Sequence, residues 1–215
     1  MHGAYGVIVA QELVELLDSE RNRIGTQFMI WENEELKKIL KNNGVAVMPT
    51  DTIYGIVGSA LEEKTVNRIY EIRKRTKTKP CIILIGDISE LEKFSIHLTD
   101  VQKNKLNEYW NMEARATSVA LDCPLEKFAY LHRGTNTLAF RLPANQNLRD
   151  LLLKTGPLIA PSANTEKFPA SENIEEAKKY FGDNVDLYID GGEVVSQASR
   201  VIKLHKDGTV DILRA

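Results

Sequence analysis

Val45-Ala-Val-Met48, running directly into Pro49-Thr-Asp-Thr-Ile-Tyr-Gly55, decides the fold reading. Four apolar residues without polar alternation predict a buried strand, and the turn-forming segment behind them predicts a loop at the strand end. Upstream, Leu36, Ile39 and Leu40 fall on one helical face, Lys41 lies near its end, and Gly44 stands where a C-terminal cap belongs. Downstream of the loop, Val66, Ile69 and Tyr70 mark a second helix, followed by a basic loop and an apolar strand at 81–85. Helix and strand therefore alternate. Ser89-x-x-Glu92 and Thr99-x-x-Gln102 read as capping boxes opening two more helices, the second carrying Val101, Leu106 and Tyr109. Strands are predicted at 116–121, 137–142, 157–160 and 187–190, with helices at 148–154 and 173–181. Strands at 201–204 and 209–213 flank Lys206-Asp207-Gly208, where Asp-Gly signals a hairpin. The fold class is α/β or α+β, with a mixed sheet ending in an antiparallel pair.

The chain has 215 residues, 43% of them apolar, enough for one sizeable core. Residues 1–28 differ from the rest: Leu13, Leu16 and Leu17 stripe a short segment, but 20–27 is polar and aperiodic. They are read as an N-terminal extension, loosely packed or an added leader, before a single domain over 29–215. A chain shortened to begin at Met29 is expected to keep fold and activity; aggregation or loss of activity on truncation would overturn that boundary.

With 28 Lys+Arg against 30 Asp+Glu, the net charge is −2. No global positive field gathers nucleic acid or an anionic membrane, so any polyanion must be met by a local cluster. Cys81 and Cys123 make no disulfide framework and no zinc spacing, which points to a reducing cytoplasm. Apolar runs such as 7–10 and 81–85 are too short to span a bilayer, and no membrane role is read. There is no P-loop pattern and no G-x-G-x-x-G between strand and helix, and the four histidines are scattered, so no metal site is expected.

Three segments carry chemistry. Thr50, Asp51 and Thr52 lie at a strand end, where ligands bind in open α/β sheets, although a plain tight turn would use the same residues. Arg73-Lys-Arg-Thr-Lys-Thr-Lys79 concentrates five cations in seven residues. Such a loop can neutralise a triphosphate and a departing pyrophosphate; the plain alternative is a solvated helix end complementing the macrodipole. Pro161-Ser-Ala-Asn164 follows a strand with small residues and two hydrogen-bonding side chains, again compatible with a turn.

Together these segments resemble the YrdC-like threonylcarbamoyl-AMP synthases over about 31–214. The resemblance rests on the PTDTIYG and PSAN runs, Arg73-x-Arg75 with Lys79-Pro80, Thr137-Leu-Ala-Phe-Arg141-Leu-Pro143, Asp190-Gly-Gly192, Ser199-Arg-Val-Ile and Leu213-Arg214. It implies a twisted mixed sheet with flanking helices around a deep cavity, and synthesis of threonylcarbamoyl-AMP and pyrophosphate from L-threonine, bicarbonate and ATP with Mg2+. It further implies that Thr50, Thr52, Lys79, Arg141 and Ser199 contact threonine or its carbamate. Arg73, Arg75, Thr137, Ser162, Asn164 and Arg214 would contact ATP, Arg73 and Arg75 serving catalysis. The product would pass to a downstream threonylcarbamoyl transferase acting on tRNA. The alternative is a YrdC-like protein that binds tRNA or double-stranded RNA without synthase activity. The chain departs from the family pattern at Arg73, usually Lys, and at Thr76, Asn111-Met112, Ala170 and Arg200.

Overall fold

A computed structural model describes residues 30–113 and 115–215; the expected extension at 1–28 lies outside them. The strand read at 45–48 forms as β1 (Ala46–Pro49), buried throughout. Its alternating side chains explain why: Val45 and Val47 enter one apolar cluster, while Ala46 and Met48 enter another on the opposite face of the sheet. A strand covered on both faces shows no polar alternation.

The remaining strands are β2 (Tyr54–Ser59), β3 (Ile82–Leu84), β4 (Thr117–Asp122), β5 (Thr137–Arg141), β6 (Leu158–Ile159), β7 (Leu187–Tyr188), β8 (Arg200–Leu204) and β9 (Val210–Arg214). They form a nine-stranded sheet in the order β7-β1-β2-β6-β3-β5-β4-β8-β9. Pairing is mixed, parallel for β1–β7, β3–β5 and β4–β8 and antiparallel elsewhere, and the β8–β9 hairpin closes one edge. The hairpin turn needs Gly208, whose φ of 88 is in the left-handed region.

One face is covered by α1 (Glu34–Lys41) and α5 (Gln146–Thr155), through Leu36, Leu40, Leu148, Leu151 and Leu152. The other carries α2 (Glu63–Ile72), α3 (Asp100–Asn107), the short α4 (Ala129–His132) and α6 (Ile174–Phe181). Val66, Ile69, Leu106 and Phe181 pack there.

The structure corrects four local readings. β2 was not expected; its Gly-interrupted apolar run Tyr54-Gly-Ile-Val-Gly carries no period-2 pattern because it too is buried on both faces. Residues 126–132, unassigned from sequence, form a 3-10 turn and α4, too short to show a helical period. Ser89-x-x-Glu92 makes no capping box: Asp87 accepts from the Ser89 N–H and a 3-10 helix follows (Ile88–Phe94), whereas the Thr99–Gln102 box forms as read. At the end of α1 the left-handed residue is Asn43 (φ 62), not Gly44. Gly44 donates to the Ile39 carbonyl (2.9 Å), and a Cβ there would meet Ile39 Cγ2 at 2.6 Å, so close approach is what requires glycine.

Candidate functional site

β1 and β2 form a hairpin whose pairing closes at Pro49–Tyr54. Thr50 ties the loop from both ends, its N–H (3.0 Å) and Oγ1 (2.7 Å) donating to the Ile53 carbonyl. This places the buried hydroxyls of Thr50 and Thr52 3.2 Å apart. The segment is thus a tight turn and a polar strand end at once.

β5 supplies a second wall. Thr137, Ala139 and Arg141 face a cavity of about 330 Å3, while Leu138 and Phe140 point into the core, as strand alternation demands. Four residues of strand span about 13 Å, so the face from Thr137 to Arg141 is long enough for two small substrates side by side. Ala139 leaves room between them.

Arg141 is nearly fully buried. Its Nη2 pairs with Asp51 Oδ1 at 2.7 Å and lies 3.5 Å from Thr50 Oγ1, while its Nε is buried without a partner among the described residues. A buried guanidinium with an unused N–H retains a donor for an arriving anion. Arg75 and Arg214 line the same cavity. Arg75 is anchored by the carbonyls of Lys79 (3.2 Å) and Pro80 (2.8 Å). Arg214 donates to the Ser199 carbonyl through Nη2 (2.6 Å) and Nε (3.1 Å), and Ser199 Oγ meets Ser118 Oγ at 2.8 Å. Burial first, then the charges of Arg141 and Arg75, hold the Arg214 guanidinium below its ordinary pKa. Three guanidiniums repelling one another across one cavity make a site for an anion.

Of the residues singled out in the sequence, Thr50, Thr52, Arg75, Thr137, Arg141, Ser162, Ser199 and Arg214 line this cavity. Arg73, Asn164 and Lys79 do not. Arg73 is 2% exposed and stands behind the wall, its Nε donating to the Asn164 carbonyl (3.0 Å) and Nη2 to Asn164 Oδ1 (2.9 Å) and Ser162 Oγ (3.2 Å). Its Nη1 is buried without a partner among the described residues. Burial and, next, Arg75 push its pKa down to about 10, so it stays a cation at neutral pH. Lys79 turns to Glu166 (2.7 Å).

Glu166 was not anticipated. Its other oxygen accepts from Thr76 Oγ1 (2.9 Å) and the Thr76 N–H, and its own N–H donates to the Arg73 carbonyl (2.9 Å), so one acid ties the PSAN loop to the basic loop. The signal available was an acid two residues past Asn164 facing a run of cations. Asp51 was noted only as part of its loop, and Ser118 gave no signal inside an apolar strand. Lys79 and then Thr76 pull the Glu166 pKa from 4.5 to about 2. A lowered acid contributes fully above its ordinary pKa and loses that contribution as pH falls toward the lowered one. The tie between the loops is therefore expected to weaken between about pH 4.5 and 2, and Glu166→Gln to loosen it at neutral pH. Amide exchange of residues 74–79 checks this; equal exchange in Glu166→Gln and the parent at pH 7 would refute it.

Comparison with known proteins identifies the family. The Sua5/YciO/YrdC family model, described as telomere recombination, matches residues 38–215, and the chain belongs to that family. A putative threonylcarbamoyl-AMP synthase of Methanocaldococcus jannaschii is 28% identical over 208 residues, covering 94% of this chain and 90% of that protein. One from Mycobacterium leprae is 28% identical over 176 residues, covering 82% and 79%. The crystal structure of Pyrococcus abyssi Sua5 complexed with L-threonine superposes with a TM-score of 0.72 at 26% identity, over 81% of this chain and 51% of that one. Escherichia coli YciO, at 24% identity and a TM-score of 0.70 over 86% of this chain and 88% of that one, shares the fold.

Proposed function

We propose that this chain is a threonylcarbamoyl-AMP synthase, converting L-threonine, bicarbonate and ATP into threonylcarbamoyl-AMP, pyrophosphate and water. The observation that carries the reading is one cavity holding Arg141 with the Thr50 and Thr52 hydroxyls together with Arg75, Arg214 and Thr137. An amino-acid carboxylate suits the first group, because a planar guanidinium forks onto it and hydroxyls take the remaining lone pairs. Phosphates suit the second. A protein that only bound RNA would have no use for the buried Arg141–Thr50–Thr52 corner.

The neutral threonine amine bonds to the carbon of bicarbonate, directly or through its CO2, an amine proton and the bicarbonate hydroxyl leave as water, and a carbamate results. A carbamate oxygen then attacks the α-phosphorus, the bond to the bridging oxygen breaks, and pyrophosphate leaves with its electron pair. No nucleophilic side chain is required; placement and charge stabilisation supply the rate. In this reading Thr50, Thr52, Arg141 and Ser199 hold threonine or its carbamate, and Arg75, Thr137, Ser162 and Arg214 hold the nucleotide. Arg73 and Asn164 act from behind by fixing Ser162, and Lys79 reaches the substrates after exchanging Glu166 for an anion. Among the described residues the cavity lining offers cations and hydroxyls and no carboxylate, so Mg2+ enters as part of the MgATP substrate. The adenylate then serves a transferase that modifies tRNA. No helix among the described residues is long and apolar enough to cross a membrane, and Cys81 and Cys123 are free thiols. A cytoplasmic setting accords with the free thiols.

Incubation with ATP, L-threonine and bicarbonate is expected to release pyrophosphate only when all three are present, with the adenylate visible by mass. ATP turnover indifferent to threonine would reject the reading.

A further inference from the structure

A second groove, of about 620 Å3, lies beside the cavity between α2, which lines it from Glu63 to Glu71, the basic loop and α4. Lys74, Arg75, Lys77 and Arg133 face it, against the carboxylates of Glu63 and Glu71. None of these four cations forms an ion pair among the described residues. Four cations without a direct ion pair, set against two carboxylates, leave an excess of positive charge in one concavity of a chain of net charge −2 and focus positive potential there.

The groove is also built. The Arg133 guanidinium stacks 4.1 Å from the Tyr70 ring centroid and donates through Nη2 to Asn67 Oδ1 (2.8 Å), and its Nε is buried without a partner among the described residues. Arg75 lies 5.9 Å from the same ring. Tyr70 in turn donates its hydroxyl to the Lys79 carbonyl (2.7 Å), fixing this platform to the basic loop. Two links join groove and cavity. Arg75 lines both, and the segment from Arg133 leads within two residues to Thr135 and within four to Thr137 on the cavity wall.

We propose that this groove receives the pyrophosphate released by the synthase, with Arg75 passing the leaving group from the cavity to Lys77 and Arg133. The proposal rests on the synthase reading. When the bond between the α-phosphorus and its bridging oxygen breaks, the departing electron pair leaves pyrophosphate as a compact polyanion. A path of cations leading outward lowers the cost of separating it from Arg75 and Arg214. The same phosphate-oxygen chemistry could come from a nucleic-acid backbone. A clustered concavity flanked by Glu63 and Glu71 fits a compact anion better than an extended strand, which needs a continuous basic stripe.

The test titrates the full chain with inorganic pyrophosphate and, separately, with a short RNA duplex, and measures product inhibition. Lys77→Ala, at an exposed position, and Arg133→Ala are each expected to weaken pyrophosphate about tenfold, in the range of one lost charge-assisted hydrogen bond, with the KM values for ATP and threonine within about twofold. Arg133→Lys, which keeps the cation but loses the fork on Asn67, serves if Arg133→Ala fails to fold. Unchanged pyrophosphate affinity in folded variants overturns the proposal. So does an equal loss of ATP, which would make the groove part of the substrate site, or loss of RNA binding with pyrophosphate unaffected. If wild-type chain shows no threonine-dependent turnover yet these substitutions weaken pyrophosphate, the groove stands as a pyrophosphate site and the synthase reading alone fails.

Discussion

Arg141→Ala is expected to weaken threonine ten- to a hundredfold while leaving ATP within about threefold, and Arg75→Ala to do the reverse, since a charge-assisted hydrogen bond is worth about 1.5–3 kcal/mol. The two variants should also differ in stability. Removing Arg141 strands the buried carboxylate of Asp51, and breaking such a pair costs about 3–5 kcal/mol. Arg75 is half-buried and its hydrogen bonds run to two backbone carbonyls of its own loop, so its loss should barely move the melting temperature. Asp51→Asn combined with Arg141→Ala removes the stranded charge and separates binding from folding. Steady-state kinetics in each substrate, with thermal melts alongside, decide the matter. If both folded variants weaken both ligands equally, the division of residues between substrates is wrong.

Arg73→Lys restores the residue usual in the family, yet a substantial loss is expected here. Arg73 spends its fork on three acceptors, the Asn164 carbonyl, Asn164 Oδ1 and Ser162 Oγ, which an ammonium on a flexible stem cannot reproduce together. Losing one or two buried charge-assisted hydrogen bonds costs on the order of 3 kcal/mol. For a domain of this size that lowers the melting temperature by roughly 6–12 °C. Ser162 would then lose its placement on the cavity wall, and ATP should weaken with it. An Arg73→Lys variant with unchanged melting and unchanged ATP affinity would show that Arg73 acts as a simple cation and that the fork is incidental.

Legibility tracked the physics of each element. α1, α2 and α6 announced themselves through apolar residues at helical spacing, because each has one buried and one wet face. β2 did not, since a strand packed on both sides has no alternation to display, and α4 is shorter than the pattern needed to recognise it. In the site, residues carried by motifs were found, and eight of those singled out reach the cavity. Glu166, Ser118 and the groove-lining Arg133 were not, because each acquires its meaning from a partner distant in sequence: Lys79 and Thr76, Ser199, and Tyr70.

Local sequence by itself determined the alternation of helices and strands, the Thr99 cap, the Asp-Gly hairpin and the kinds of group offered to a ligand, since period, capping and turn chemistry act over a few residues. Only the tertiary structure decided which of those groups face one another. It set the strand order, which brings β1–β2, β5 and β8–β9 around one cavity, and it turned Arg73 inward to the PSAN loop and Lys79 outward to Glu166. Whether a cation meets a ligand or a neighbouring acid depends on distances set by packing between segments 87 and 91 residues apart, and no local pattern encodes those.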